Sequence, residues 1–348
     1  MNPQLLINLE KFKHNAKYLL DLCKKNGVHV TPVTKVFCAD SVMVQTLIDV
    51  GYTSLGDSRI ENIKNYPPNL KETMLLRLPS PSAVEVTVST SSISLNSEIE
   101  TIKALGESGI NHKIILMIDL GDLREGILYT NEAEIYEAVE TILSYNNLEM
   151  HGIGTNLTCY GSVIPNSENL GHLCDIAEKI RQKYNIPLPI VSGGNSSSIY
   201  MIDKLPKGIN HLRLGESIVR GVETAYGKPF EGLEQDVITL TAEIIEIKEK
   251  PSLPIGETSI NAFGERVEYT DNGIQKRAIL AVGRQDMDID GLTPIDKDIN
   301  IIGASSDHLI VDITNSKVYS IGERIEFALS YGAILAGFTS KYIDKIYV

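Results

Sequence analysis

The residues in this sequence with most capacity for chemistry are one lysine, two arginines and a serine–glycine turn. Lys35 follows His29-Val30-Thr31-Pro32-Val33-Thr34, an apolar and β-branched run that reads as a strand. A lysine ending such a strand sits partly buried. Burial disfavours its ammonium and makes it a nucleophile or base near neutral pH, unless it snorkels to solvent. The turn Ser192-Gly193-Gly194-Asn195-Ser196-Ser197-Ser198 precedes an apolar helical start. Glycines permit a tight turn, and free N–H groups at a helix N-terminus form a nest for phosphate. The plainer reading is a Ser/Gly turn with an N-cap. In Asp119-Leu120-Gly121-Asp122-Leu123-Arg124-Glu125-Gly126, Arg124 could grip a carboxylate by two parallel hydrogen bonds or form an ordinary ion pair with a neighbouring acid. In His211-Leu212-Arg213-Leu214-Gly215-Glu216, strand alternation puts Arg213 on the face opposite Leu212 and Leu214, where it must find an acceptor.

The elements that position these residues alternate. Strand candidates at 29–34, 52–56, 73–77, 92–96, 113–119, 149–155, 188–192 and 209–214 are separated by helical patterns, clearest at 11–25, 41–50, 98–108, 131–145 and 169–184. Such alternation predicts parallel βα units, and this many in about 220 residues fit an α/β fold of the (β/α)8 TIM-barrel type. Working residues in that fold lie at the C-terminal ends of strands, and phosphate often binds after strands seven and eight. Lys35 would end strand one, Arg124 would follow strand five, and the nest and Arg213 would belong to strands seven and eight. A lysine, a phosphate nest and two arginines around one mouth point to pyridoxal 5′-phosphate: Lys35 as Schiff-base former, the nest as phosphate site. After Gly221 the pattern changes. Segment 221–234 holds three glycines and one proline and reads as a linker. The runs 236–248, 276–283, 299–303 and 308–313 are β-rich, with turn residues such as Asp271-Asn272-Gly273 between them and no long helix. The expected division is a barrel over 1–225 and a mostly antiparallel C-terminal β domain over 226–348, with residues 1–10 open to joining the latter as a strand.

Composition narrows the function classes. In 348 residues, 43% hydrophobic and 22% charged, with 27 Gly and 14 Pro, a sizeable core is possible; collagen, disulfide-scaffold and disordered chains are excluded. A net charge of −13 argues against nucleic acid or an anionic membrane as partner. Cys23, Cys38, Cys159 and Cys174 show no CxxC spacing and read as reduced thiols, so a cytoplasmic location is expected. Met1-Asn2-Pro3-Gln4 does not open a signal peptide, and no apolar run is long enough to span a membrane. The histidines are scattered, and no metal site is expected.

At these positions the chain resembles the alanine racemase family, the fold-type-III pyridoxal phosphate enzymes, over nearly its whole length. Leu6-Ile7-Asn8-Leu9-Glu10-Lys11-Phe12-Lys13-His14-Asn15 is similar to the family's opening, and Val33-Thr34-Lys35 to its cofactor lysine. The resemblance implies Lys35 as Schiff-base former and catalytic base. Asp119-x-Gly121-x-x-Arg124-x-Gly126 resembles the arginine motif, implying that Arg124 contacts the substrate carboxylate or the cofactor hydroxyl. Asn156 falls where the family usually has a histidine beside the ring. Asn195 and Ser196, after Ser192, match the phosphate-binding pair. Arg213-x-Gly215 matches the arginine at the pyridine nitrogen, with Gly215 and Glu216 offering amides to phosphate. In the β domain, Tyr331 matches a tyrosine bonded to the phosphate, and Gly303-x-x-Ser306-Asp307 a substrate-facing loop. The resemblance further implies a head-to-tail homodimer with composite sites.

The departures point to a subgroup. Where alanine racemases carry a Gly-Tyr-x-Asp-Gly stretch supplying the second base, this chain reads Val282-Gly283-Arg284-Gln285-Asp286-Met287-Asp288. Phe37-Cys38-Ala39-Asp40 also lacks the aromatic found after the lysine motif. These features look most like the ornithine racemases. A substrate with two amino groups would want a carboxylate at the far end of its pocket, for which Asp286 and Asp307 are candidates, with Asp288 and Asp290 nearby in sequence. Asp286, Asp288, Cys159 and Tyr160 are candidates for the second base. The alternatives are a fold-type-III decarboxylase, a D-threonine-aldolase-like lyase and a non-catalytic pyridoxal phosphate carrier.

Overall fold

A computed structural model describes residues 2–260, 263–264, 266 and 268–348. The chain divides into two compact units, Leu9–Gln235 and a second built from the N-terminal residues up to Asn8 together with Asp236–Val348.

The first unit is a near-closed ring of parallel strands. In ring order they are His29–Pro32, His211–Leu214, Ile190–Ser192, Leu148–Gly154, His112–Asp119, Ile93–Asn96, Glu72–Leu75 and Ser54–Asp57. The ring closes through a parallel bridge between Val33 and Gly56, with the Thr34 N–H donating to Gly56 O at 2.9 Å. Alternation along the strands sorts side chains between two cores. Ile115 and Met117 pack with Met74, Ile93 and Leu95 in one apolar cluster. Their neighbours Ile114, Leu116 and Ile118 pack on helical residues such as Ile102, Leu105 and Val139. Filling a barrel with layers of aliphatic side chains leaves polar groups for the strand ends, where working sites form. Close approach inside the ring needs small residues. A Cβ on Gly154 would meet Ser192 Cβ at 3.2 Å and the Arg213 guanidinium at 3.4 Å.

The helix Leu9–Lys25 buries Phe12, Ala16, Leu19 and Cys23 at helical spacing. Asn15 lies on the same buried face and is fully covered. Its Nδ2 donates to Ile218 O at 3.1 Å and Glu234 O at 2.8 Å, and its Oδ1 accepts from the Glu234 N–H at 2.8 Å. These bonds hold the chain near residue 234 to the barrel. The boundary drawn at 225 from glycine content therefore falls at Gln235, because the glycine-rich segment is anchored through its backbone.

The second unit is a sheet ordered Leu292–Pro294, Arg324–Leu329, Ile238–Pro251, Ile274–Leu280, Leu309–Asp312 and Asn300–Ala304, with every pair along this path antiparallel. Gln4–Ile7 joins it antiparallel to Ile238–Pro251 and parallel to the last strand, Asp344–Tyr347. The unit also carries a helix, Tyr331–Thr339, capped by the Ser330 hydroxyl accepting from the Ala333 N–H. That helix is absent from the sequence reading. Its run Tyr-Gly-Ala-Ile-Leu-Ala-Gly-Phe-Thr is apolar on nearly every side and shows no amphipathic period. No helix among the described residues is long and apolar enough to cross a membrane.

Candidate active site

Lys35 opens a short 3-10 turn, Lys35–Phe37, directly after the strand His29–Pro32. The turn ends in two successive left-handed residues, Cys38 and Ala39, both at φ 51°. For residues with a Cβ this conformation costs about 1–2 kcal/mol each and persists only when the surroundings enforce it. Thr34 supplies part of that enforcement. Its hydroxyl donates to Asp57 Oδ2 at 2.6 Å and accepts from Tyr66 Oη at 2.6 Å. Asp57, at the end of the neighbouring strand, is fully buried. Burial pushes its carboxyl pKa up, against hydrogen bonds from Thr34, the Arg59 N–H and Asn62.

The Lys35 side chain keeps exposed surface, but surrounding protein limits its hydration. That desolvation holds its pKa below the ordinary lysine value, and repulsion from Arg124 adds to it; Cys159, Asp57 and Glu125 pull the other way. The amine is therefore more available as a base than a surface lysine's.

Arg213 lies on the strand paired in register with Lys35's own, opposite Thr31. It is 3% exposed. Among the described residues its side chain's hydrogen-bond partners are neutral: Ser192 Oγ, Thr155 O at 2.6 Å and Asn156 Oδ1 at 2.8 Å. Among the described residues no acceptor takes its Nε–H. Burial without a directly bonded carboxylate lowers its pKa to about 10, which still leaves it cationic at neutral pH.

Ser192 continues the network. With the guanidinium donating to Oγ, Ser192 also shares a hydrogen bond with His211 Nδ1 at 2.8 Å. His211 Nε2 shares another with Thr31 Oγ1 at 2.9 Å. Ser192 thus orients Arg213 rather than standing free in the phosphate nest.

The nest forms where two helical segments begin side by side, Ser196–Lys204 and Glu216–Arg220. Asn195 caps the first, its side chain accepting from the Ser197 N–H at 2.8 Å. The Gly215 and Ser217 N–H groups converge on Ser196 Oγ at 3.4 and 3.1 Å, beside the Ser217 hydroxyl at 3.0 Å. The Glu216 carboxylate is turned away into an ion pair with Arg220. The Gly215 and Ser217 N–H groups are taken up by Ser196 Oγ, and they serve an anion once that hydroxyl turns to donate to it as well.

The Arg124 loop is shaped by its motif. Asp119 Oδ1 accepts from the N–H groups of Gly121 at 2.8 Å and Leu123 at 3.2 Å, an Asx turn. Gly126 sits at φ 119°, and a Cβ there would meet Asp119 N at 2.6 Å. Arg124 pairs with Glu125, through Nε to Oε2 and through Nη2 to Oε1 at 2.7 Å. The two-pronged edge expected to hold a substrate carboxylate is thus engaged by the adjacent acid.

Asp122 is 1% exposed. Its carboxylate accepts from the N–H groups of Tyr160 at 2.9 Å, Val163 at 3.0 Å and Cys159 at 3.2 Å, tying the Arg124 loop to the loop after the strand Leu148–Gly154. Asp122→Ala leaves those amides without their acceptor and is expected to destabilise the protein by about 3 kcal/mol. Urea unfolding checks this; a loss under about 0.5 kcal/mol would show that water replaces the carboxylate. Of the four second-base candidates, Cys159 lies on the loop that Asp122 holds, and burial pushes its thiol pKa up. Tyr160 is 75% exposed on the same loop, and Asp286 and Asp288 lie in the other unit.

In the C-terminal unit, three predicted substrate residues come together. Asp286 Oδ2 accepts from the Gly283 N–H at 2.8 Å and closes a turn. That turn is zipped to the loop of Ser306 and Asp307: Arg284 N–H donates to Ser305 O and Gln285 N–H to Ser306 O, both at 3.0 Å. Ser306 Oγ donates to Asp307 Oδ2 at 2.6 Å. Asp290 is engaged by Arg284 at 2.9 and 3.1 Å. Tyr331 is the first residue of the helix Tyr331–Thr339.

Sequence reasoning passed over Glu125, Asp122, Asp57 and His211. Each is a polar residue at or beside a barrel strand end, and that position alone was the available signal.

Comparison with known proteins agrees with this geometry. A family model for the alanine racemase N-terminal domain matches residues 7–221. An ornithine racemase from Acetoanaerobium sticklandii is 49% identical over 352 residues, covering 99% of both chains. A lysine racemase from Thermotoga maritima is 38% identical over 353 residues, covering 99% of this chain and 98% of its own. The solved structure of an alanine racemase from Bartonella henselae with covalently bound pyridoxal phosphate superposes with a TM-score of 0.76 at 18% identity, covering 100% of both chains.

Proposed function

The chain belongs to the alanine racemase family, and from that premise we propose that it interconverts the L and D forms of a basic amino acid, ornithine foremost, with pyridoxal 5′-phosphate as cofactor. The observation that carries this reading is the pairing of two adjacent strands. One leads into Lys35, an amine held below its ordinary pKa, and the other carries Arg213, a buried cation bonded only to neutral groups. The residues fit the cofactor. The uncharged donors at Ser196, Gly215 and Ser217 suit its phosphate, and the Arg213 guanidinium lacks an anion among its direct partners and suits an acceptor ring nitrogen.

When bound, pyridoxal phosphate supplies the electron sink that acidifies the substrate's α-C–H. Lys35 would hold the cofactor through Nζ, and that same amine could take or return a proton on one face of the substrate. Asn195, Ser196, Gly215 and Glu216 hold the phosphate. Arg213, cationic at neutral pH and without an acceptor of its own, would present only donors to the ring nitrogen, an arrangement that disfavours transamination. Arg213 also favours racemisation over the decarboxylase reading, which calls for an acid at that position. Asn156 and Ser192 support the cofactor through Arg213, and Arg124 meets the substrate carboxylate. We assign Tyr331 to the cofactor and Asp286, Ser306 and Asp307 to the substrate's far ammonium, in a homodimer. The ornithine preference rests on the relatives named above.

The test is polarimetry of the holoenzyme with L-ornithine, L-lysine and L-alanine. The expected result is that rotation decays to zero, fastest for ornithine, with no carbon dioxide released. Decay for alanine alone would overturn the substrate, and release of carbon dioxide would overturn the reaction.

A further inference from the structure

The Arg124 guanidinium has its Nε and Nη2 edge occupied by Glu125, the next residue in the chain. Gly126, the next residue, sits at φ 119°. The Glu125 side chain is 16% exposed, against 42% for Arg124, so the acid is the inner member of the pair. Glu125 Oε1 also accepts from Asn156 Nδ2. The other end of the same amide, Oδ1, accepts from Arg213 at 2.8 Å. Only this orientation of the amide gives each of its atoms a complementary partner. One carboxylate therefore bonds one guanidinium directly and reaches the other through a single amide.

We propose that Glu125 is the positioning residue of Arg124, fixing the guanidinium so that it meets the substrate carboxylate through Nη1 rather than through its forked edge. The proposal rests on the reading that Arg124 binds substrate. Both oxygens of Glu125 face donors only: Nε, Nη2 and Nδ2. A glutamine of the same shape must turn its NH2 toward one of those donors. The pair then opens, and Arg124 regains the rotamer freedom of an unanchored arginine. A substrate carboxylate would have to order it again, a cost that falls on binding.

The experiment is a double-mutant cycle on the holoenzyme with E125Q, R124A and the double variant, and with E125D as the charge-retaining control. E125Q is expected to lower kcat/KM about tenfold or more, mainly through KM, with Tm within about 2 °C of wild type. R124A should lose at least as much, and E125Q should cost less than about twofold on the R124A background, because it acts through that arginine. E125D should recover part of the loss. A readout without turnover is the Kd of pyridoxal phosphate for the apoprotein, followed by absorbance. E125Q should weaken it about threefold or more, since a neutral amide oxygen is a poorer acceptor for Asn156 than the carboxylate and leaves Arg213 less firmly held. If E125Q matches wild type within about twofold in both readouts, or if its loss multiplies fully with that of R124A, the positioning role is wrong. If R124A is silent while E125Q is impaired, Arg124 leaves the substrate site and the proposal falls with it. Should E125Q fold poorly, the cycle is run with E125D.

Discussion

Lys35→Ala is expected to abolish racemisation, by at least about 10³-fold, while leaving the fold intact. Wild-type protein treated with borohydride in the presence of pyridoxal phosphate should gain the mass of one reduced cofactor; the variant should gain none. Folding is spared because, among the described residues, the Lys35 side chain takes part in no hydrogen bond or ion pair that secures the barrel. The local structure is held by Thr34, through Gly56 O, Asp57 and Tyr66. Retention of a covalent cofactor in the variant, or racemisation within about tenfold of wild type, would move the chemistry to another amine. Lysines elsewhere in the described protein whose pKa is shifted, such as Lys103, Lys179 and Lys183, are shifted upward, by acidic or phenolic neighbours.

Mild acid is expected to remove stability steeply. His211 is fully buried, and burial pushes its pKa from 6.5 down to about 3; His112, 3% exposed and bonded to Ser94 Oγ at 2.7 Å, falls to about 4 for the same reason. Below pH 6.5 the unfolded chain takes up protons that the folded chain refuses. Stability present above that pH is therefore lost as pH falls through the window from 6.5 to about 4 and 3. Each histidine contributes a slope of about 1.4 kcal/mol per pH unit, so the pair removes about 5 kcal/mol over two units, comparable with the whole stability of many domains. Asp57, with its raised pKa, opposes this at the acid end, because the folded state binds that proton more readily. Urea midpoints between pH 7.5 and 4.5 measure the slope, and His211→Gln should reduce it by about half. An unchanged slope in that variant would show that His211 titrates freely in the fold. The consequence also reaches Arg213. With both ring nitrogens protonated, His211 can only donate to Ser192 Oγ, the atom that also accepts from the guanidinium.

The barrel was legible because its strands are short β-branched runs cut regularly by amphipathic helices, and either period survives local exceptions. The strand expected at 113–119 is observed as His112–Asp119, and the helix expected at 169–184 as Ser167–Tyr184. The Arg124 motif was legible as a pattern, and the structure supplies its physics: Asp119 closes the turn and Gly126 allows the close return. Elements without a period were not legible. Tyr331–Thr339 is apolar all round, and the strand Arg324–Leu329 follows turn residues that masked it. Within the site, side-chain partners were the hidden part. Nothing in the type or spacing of Glu125 separates an inner carboxylate bonded to two side chains from a solvated acid. Nor does sequence reveal that Ser192 hands the orientation of Arg213 on to His211. Such relations depend on which strands are neighbours in the ring, and those neighbours lie about twenty residues or more apart in the chain.

The strand Gln4–Ile7 lies between Ile238–Pro251 and Asp344–Tyr347 in one sheet. The barrel is thereby an insertion within the second unit. During synthesis, every residue of Leu9–Gln235 is available before the sheet has received its last strand. The opening strand must wait, with one edge unpaired until residues 238–241 emerge and the other until 344–347 do. The barrel can thus mature first, in a chain whose second unit closes by long-range pairing once residues 344–347 emerge.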